Sequence, residues 1–181
     1  MKKQQRVFLW AGLALAMPFG SANANLLVNG NLEMPALADR SWQVIGAIPG
    51  WTTSFGPGIE IQNQVAGTSF DGVQHVELDS NANSGMKQTV ATVPGIPYLL
   101  SFAYSPRPGR PATDNGIEVY FNGVLVKSVT ADGTGLPDTK WTKYSVAVTP
   151  ATNNSVVEFR AVGTSTSFGG YVDDIILEAR R

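Results

Sequence analysis

The chain has 181 residues, with 13 Lys and Arg against 14 Asp and Glu, one His and no Cys. The absence of Cys excludes thiol nucleophiles, disulfides and thiolate zinc sites, and a lone His leaves few hydrolytic constellations open. A balance this close to neutral, without a Lys/Arg cluster, argues against nucleic acid or an anionic membrane surface as partner.

Residues 1–24 read as a signal peptide. Lys2, Lys3 and Arg6 form a basic start, residues 7–16 are apolar, and Ala22-Asn23-Ala24 offers a small-x-small cleavage site. An apolar run of this length falls well short of the ~20 residues that span a bilayer. Cleavage after Ala24 is expected to leave residues 25–181 as one domain with ten basic and 14 acidic residues, a net charge of −4. No second apolar run of membrane length follows. The mature protein is therefore expected to be soluble, in a bacterial periplasm or outside the cell. A cysteine-free exported domain must stand on its core, with a metal as a further aid.

The mature chain opens on NLLVNGNLE (25–33). Residues 34–70 hold Trp42, Trp51 and Phe55 among Gly and Pro, and two short strands between long loops are expected there. From residue 73 strand signals recur: VQHVEL (73–78), MKQTVATV (86–93) and YLLSFAY (98–104). Tyr98, Leu100, Phe102 and Tyr104 fall on one face of the third. The stretch 117–129 is a hairpin with Asn122-Gly123 at its tip, a pair that tolerates the positive φ of a two-residue turn. WTKYSVAV (141–148), SVVEFRAV (155–162) and YVDDIIL (171–177) complete the series. The spacing predicts an all-β sandwich of two antiparallel sheets, and no useful helical periodicity follows the leader.

The first and last strands of such a sandwich often lie side by side. Glu33 could then meet Asp173 or Asp174 and share a hard cation. With one His and no Cys, oxygen ligands dominate any metal site, which suits calcium. Asp173 and Asp174 face opposite ways on a regular strand, and Asp173 is the expected ligand.

Taken together, NLLVNGNLE, IPGW (48–51), GIEIQ (58–62), DGVQHVELDS (71–80), TVPGIPYLLSFAYSPRPG (92–109) and GGYVDDIIL (169–177) resemble a domain-of-unknown-function family. Its members occur among plant cell-wall proteins and exported bacterial proteins, some with PEP-CTERM sorting tails. The resemblance covers nearly all of the mature chain, in order. It implies a galactose-binding-like jelly roll, the fold of many carbohydrate-binding modules, with a structural calcium between first and last strands. Glu33 and Asp173 are the matching carboxylates. The plant members differ in having two tandem domains and cysteines.

Ligand candidates follow from residue type and place. His75, Glu77 and Asp79 share one strand face and could line a groove for sugar hydroxyls, or form an ordinary solvent face. Trp51 is the favoured stacking platform for a sugar ring, ahead of Phe55 and Tyr104, with Trp42 and Trp141 assigned to the core or its edge. Arg107, in the Pro-stiffened loop SPRPGRP (105–111), presents a planar fork suited to an acidic sugar, or else pairs with Glu60, Asp114 or Glu118. Asn115 could point into the groove or cap the Asp114-Asn115-Gly116 turn. Glu60 and Glu77 are the one carboxylate pair that could serve glycoside hydrolysis. Three functions stand in order: a noncatalytic carbohydrate-binding domain for an extracellular or cell-wall polysaccharide, a structural or matrix protein that self-assembles or binds other exported proteins, and a glycoside hydrolase.

Overall fold

Alternation decides the strands. Tyr98, Leu100, Phe102 and Tyr104 all turn into the core, at 4% exposure or less. They lie two residues apart because successive side chains of a strand point to opposite faces. The same rule divides Ile59 and Ile61, wholly buried in the core, from Glu60 and Gln62 on the other side of their strand. The protein, seen in a computed structural model that describes residues 24–180, contains twelve strands and no helix among those residues.

The strands are β1 (Ser41–Ile45), β2 (Ala47–Ile48), β3 (Trp51–Phe55), β4 (Ile59–Asn63), β5 (Gln74–Glu77), β6 (Gly85–Ala91), β7 (Tyr98–Ser105), β8 (Gly116–Phe121), β9 (Val124–Val129), β10 (Thr142–Val148), β11 (Asn154–Val162) and β12 (Tyr171–Ala179). One sheet runs β1-β4-β5-β12-β7-β10 and the other β2-β3-β6-β11-β8-β9. Every pairing is antiparallel. The all-β jelly-roll sandwich expected from the sequence is the fold. The stretch 34–70 holds four strands instead of two. The expected hairpin turns at Asn122-Gly123, where both residues take positive φ.

The inner faces of the two sheets share one apolar core. Trp51, Phe102, Phe159, Ile59, Leu100 and Val157 in it have no solvent exposure. Phe159 meets Trp51 edge-on at 6.2 Å and Phe102 at 5.2 Å.

The beginning and end of the described chain lie side by side. Leu26 N donates to Leu177 O (2.9 Å) and Ile175 N donates to Gly30 O (2.8 Å). Asn25 closes the gap: its Nδ2 donates to Ile175 O (2.8 Å) and its Oδ1 accepts from Leu177 N (2.9 Å). Residues 25–30 thus accompany β12 without forming a ladder strand. The register of β12 slips between Asp173 and Ile176, where Asp174 takes φ 45°. Such a bulge re-aims side chains locally. It leaves Asp173 buried and Asp174 paired with Lys143 at the surface (2.5 Å). The leader expected over residues 1–24 lies almost wholly outside the described residues. Among these, no helix is long and apolar enough to cross a membrane.

Candidate functional site

The polar face of the first sheet carries the site. Register places Glu60 opposite Glu77, Glu77 opposite Tyr171, and Gln62 opposite His75. Cross-strand partners lie on the same face, so one surface collects two carboxylates, an amide, an imidazole and a phenol. The sequence left His75, Glu77 and Asp79 as a groove lining or an ordinary solvent face, but loops from three parts of the chain cover them. Residues 64–73 lie over His75: Ser69 Oγ sits 3.1 Å from His75 Nδ1. Tyr171 Oη donates to Ala66 O (3.2 Å), and Trp141 Nε1 to Thr68 O (2.8 Å). Residues 105–111 bring Arg107 down onto Glu77, and residues 165–169 add Phe168 and Gly169. His75, Glu77 and Asp79 are left without exposure.

Glu77 is the hub. One carboxylate oxygen, Oε2, accepts from Arg107 Nη1 and from Gln62 Nε2 (2.6 Å), and Oε1 accepts from Gly169 N (2.5 Å). A side chain at position 169 would put its Cβ 2.7 Å from the Asp79 Cβ, so only glycine lets that backbone approach. Gln62 Nε2 also donates to Glu60 Oε1 (2.7 Å) and thereby bridges the two carboxylates. Burial pushes the Glu77 carboxyl up to about 8, and the Arg107 guanidinium pulls against it. Burial likewise raises Glu60, opposed first by its Gln62 hydrogen bond. His75 is held neutral: burial lowers it to about 3, and its Nε2 has no hydrogen-bond partner. Its ring lies against Tyr171 (4.5 Å) and Trp141 (5.7 Å).

Above this row opens a cavity of about 270 Å³ whose walls include Trp42, Glu60, Gln62, Ser80, Arg107 and Phe168. Trp42 leaves β1 on the polar side and is 55% exposed. Arg107 crosses the Phe168 ring at 4.6 Å and Arg110 crosses it at 3.6 Å. The arrangement offers an apolar wall, a guanidinium edge and hydrogen-bonding groups on the floor. Such a combination is chemically suited to ring compounds bearing hydroxyl groups.

Several expected roles are corrected. Trp51 has no exposed surface and cannot stack on a ligand. It begins β3 facing inward, and its Nε1 donates to Asn29 O (3.2 Å) beneath the N-terminal segment. Tyr104 is buried and donates to Asn115 O (2.8 Å). Phe55 is exposed but on the other sheet, near Arg160. Asn115 is buried and fastens the arginine loop: its Oδ1 accepts from Arg107 N (2.9 Å), and its Nδ2 donates to Arg110 O (3.1 Å) and Pro111 O (3.0 Å). It positions Arg107 and does not face the cavity. The acid partner of Arg107 is Glu77, not Glu60, Asp114 or Glu118, so the guanidinium is not a free clamp for an acidic sugar. Trp42, Gln62, Ser80 and Phe168 were missed. The alternation of GIEIQ already placed Gln62 beside Glu60, and that of SWQVI placed Trp42 beside Val44.

The calcium expectation meets a different geometry. Glu33 Oε1 accepts from Val73 N (2.9 Å) and Gln74 N (2.8 Å). Asp173 Oδ2 accepts from Phe70 N (2.8 Å) and Asp71 N (3.0 Å), and its Oδ1 from Asp174 N (2.6 Å). Gly72, at φ 60°, sits between these grips, and a Cβ there would lie 2.4 Å from Glu33 Oε1. The two acids thus clamp the 70–74 loop. Among the described residues, no three His, Asp or Glu side chains are grouped to hold a metal ion. Calcium needs six to eight oxygens turned inward, whereas N–H donors are turned toward these carboxylates. The set does not fit a shared ion. The melting temperature is accordingly expected to be the same with and without EDTA. A fall on chelation, recovered on adding calcium, would contradict this reading.

No protein-family model and no curated protein matches the chain. Solved structures do. A family 16 carbohydrate-binding module aligns at 21% identity over 84% of this chain and 99% of its own, with a TM-score of 0.55. The K2 cleaved adhesin domain of Lys-gingipain aligns at 16% identity over 87% and 98%, also at 0.55. A family 35 carbohydrate-binding module from an environmental isolate aligns at 13% over 76% and 91%, at 0.52. At these identities the likeness establishes the jelly-roll fold that this chain shares with such modules, and fold alone does not fix function.

Proposed function

We propose that the protein is an exported, noncatalytic glycan-binding domain whose ligand occupies the cavity beside Trp42. The observation that carries this reading is the exposed Trp42 ring at the rim of a cavity floored by hydrogen-bonding groups. A large aromatic surface left in water costs free energy, and sugar C–H faces cover such a ring well. The solved modules of the same fold are described as carbohydrate-binding, which favours the same class of ligand here. The ligand is an extracellular or cell-wall polysaccharide, met by a short run of sugar units.

The hydrolase reading is weaker for a geometric reason. Glu77, one of the two nominated carboxylates, is wholly buried and both its oxygens accept hydrogen bonds from the protein. A catalytic carboxylate must reach the scissile bond. An acidic ligand is also disfavoured, because the cavity's arginine is already paired.

Trp42→Ala is expected to weaken binding of an array-positive glycan by about tenfold or more, since aromatic anchors carry such interfaces. Because the ring is exposed, stability should stay within about 0.5 kcal/mol of wild type. Glycan affinity unchanged in Trp42→Ala by calorimetry would move the site elsewhere. No retention of any glycan on a broad array would end the reading.

A further inference from the structure

Three uncharged segments form the end of the sandwich remote from the Trp42 cavity. They are 92–97 (TVPGIP), 121–126 (FNGVLV) and 147–154 (AVTPATNN), and none holds an Asp, Glu, Lys or Arg. Hydrogen bonds lace them together: Thr92 N donates to Asn153 O (2.9 Å), Gly95 N to Pro150 O (2.9 Å) and Asn122 Nδ2 to Ser155 Oγ (3.2 Å). Val93, Ile96, Val124 and Leu125 stand out into solvent here, Val124 at 64% exposure. Beside them lies a hollow of about 360 Å³ walled by Phe121, Val124, Val126, Ala147, Val148 and Ala151. It opens between β9 and β10, the edge strands of the two sheets. The charges at its border are Lys127, whose ammonium lies 5.1 Å from the Tyr144 ring, and Glu178 and Arg180, where the chain leaves β12 beside Pro97. β7 runs from Tyr98 at this end to Ser105 beside the Arg107 loop, a span of about 25 Å at the usual rise of a strand.

We propose that this uncharged face joins two copies of the chain end to end about a two-fold axis, with the two Trp42 cavities at opposite ends of the dimer. A two-fold axis sets a surface against itself, so the surface must be complementary to its own image. This one holds both halves of such a fit, a hollow and projecting apolar side chains, and Val124 and Leu125 of each copy enter the hollow of the other. Charge selects the same partner. From residue 25 onward the chain has ten basic residues against 14 acidic ones, so two copies repel over most of their surface. A face without charge brings no like pair together. Contact removes the four exposed side chains from water and covers the open edge of β9. A lipid surface matches less well, because segments that sit at a membrane surface carry Trp or Tyr and Lys or Arg, and these three segments hold none of the four. The leader expected over residues 1–24 leaves with cleavage. The dimer does not depend on the glycan reading. Given that reading, it carries two binding sites on one molecule and ties two polysaccharide strands together.

The test is equilibrium sedimentation of residues 25–181, which carry every strand of the fold, at protein concentrations from about 1 to 500 μM. A reversible dimer with a dissociation constant in the micromolar range is expected. Val124→Glu and Ile96→Glu should each raise that constant about a hundredfold or more, because each brings two unpaired carboxylates into the contact. Both positions are exposed, so the variants should melt as the wild type does and keep its affinity for a short array-positive glycan. Trp42→Ala should dimerise like the wild type. A wild-type chain that stays monomeric throughout the range overturns the proposal, and this measurement needs no variant. So does a dimer that persists undiminished in both glutamate variants. A monomer that floats with phosphatidylcholine vesicles gives the face to lipid, and a monomer that binds a peptide of residues 1–24 gives it to the leader; each overturns the dimer. A dimer that breaks in both variants while a broad array retains no glycan supports this contact and ends the glycan reading. Glycan binding by a strictly monomeric chain does the reverse.

Discussion

Arg107→Ala is expected to lower the free energy of unfolding by about 3 kcal/mol, the usual cost of removing one partner of a buried ion pair. The side chain of Glu77 is wholly buried and that of Arg107 only 16% exposed, so solvent screens the pair little. Without the guanidinium, Glu77 keeps the Gly169 and Gln62 donors but loses the countercharge it has among the described residues. The carboxyl must then take a proton or sit as an unpaired buried charge. The sign of the pH dependence follows. Burial raises Glu77 above 4.5 in the folded state. Such an acid contributes stability that is fully present below its unfolded pKa and is lost as pH rises through the folded one. The variant's Glu77 is raised further still, so the deficit of Arg107→Ala is expected to be level below about pH 8, the wild-type folded value, and to grow as pH rises through it. Adding Glu77→Gln should recover part of it at neutral pH, because an amide needs no counter-ion. Urea unfolding of the wild type, the single variant and the double variant checks all three statements. A loss below 1 kcal/mol at neutral pH in Arg107→Ala would show that the pair is not structural.

The second large effect concerns His75. Its ring is buried against Trp141 and Tyr171 beneath the 64–73 loop, and burial lowers its pKa from 6.5 to about 3. Arg107 lowers it further and Asp138 opposes this. The unfolded chain takes up a proton near pH 6.5 and the folded chain does not until near pH 3. Stability is therefore lost as pH falls across that window. One pH unit is worth about 1.4 kcal/mol, so the loss from this residue reaches about 2 kcal/mol by pH 5. Glu77 acts in the opposite sense over part of the same range, so the raw stability curve mixes the two. The contribution of His75 is the difference between the wild-type pH profile and that of His75→Phe, which keeps a ring in the aromatic cage. That difference is expected to be flat above pH 6.5 and to widen steadily below it. Parallel profiles down to pH 4 would mean that the loop opens and lets the imidazole charge.

Both predictions concern a row of residues that alternation made visible and only the fold made a site. The order of residues along the chain determined most of the strands from 73 onward, the Asn122-Gly123 hairpin and the inward faces of Tyr98, Leu100, Phe102 and Tyr104. A strand's two faces differ in register by a single residue, and that is written locally. Residues 25–30 and the last strand were also expected to be neighbours, and they are, although 25–30 form no strand of their own.

What the chain could not state locally was which groups cover the polar face of the first sheet. His75 and Glu77 read as a groove lining or a solvent face, because the loops at 105–111 and 165–169 are remote in sequence and nothing in the adjacent stretch 64–73 announces that it folds back over His75. Those loops converge only when β4, β5, β12 and β7 are paired. The same limit exchanged the two tryptophans. Trp51 lies beside Gly50 in a turn, where exposure is expected, yet its strand starts facing inward under residues 25–30. Trp42 sits on the edge strand β1 with its ring on the polar side. The oxygens of Glu33 and Asp173 were legible as acceptors, but whether they receive a cation or amide N–H groups depends on the backbone of a loop 37 to 41 residues from Glu33 and about a hundred from Asp173. Pattern reports what a residue prefers to face. Only the tertiary structure decides what arrives there, because two of the three covering loops come from distant parts of the chain and the third must fold back on its own strand.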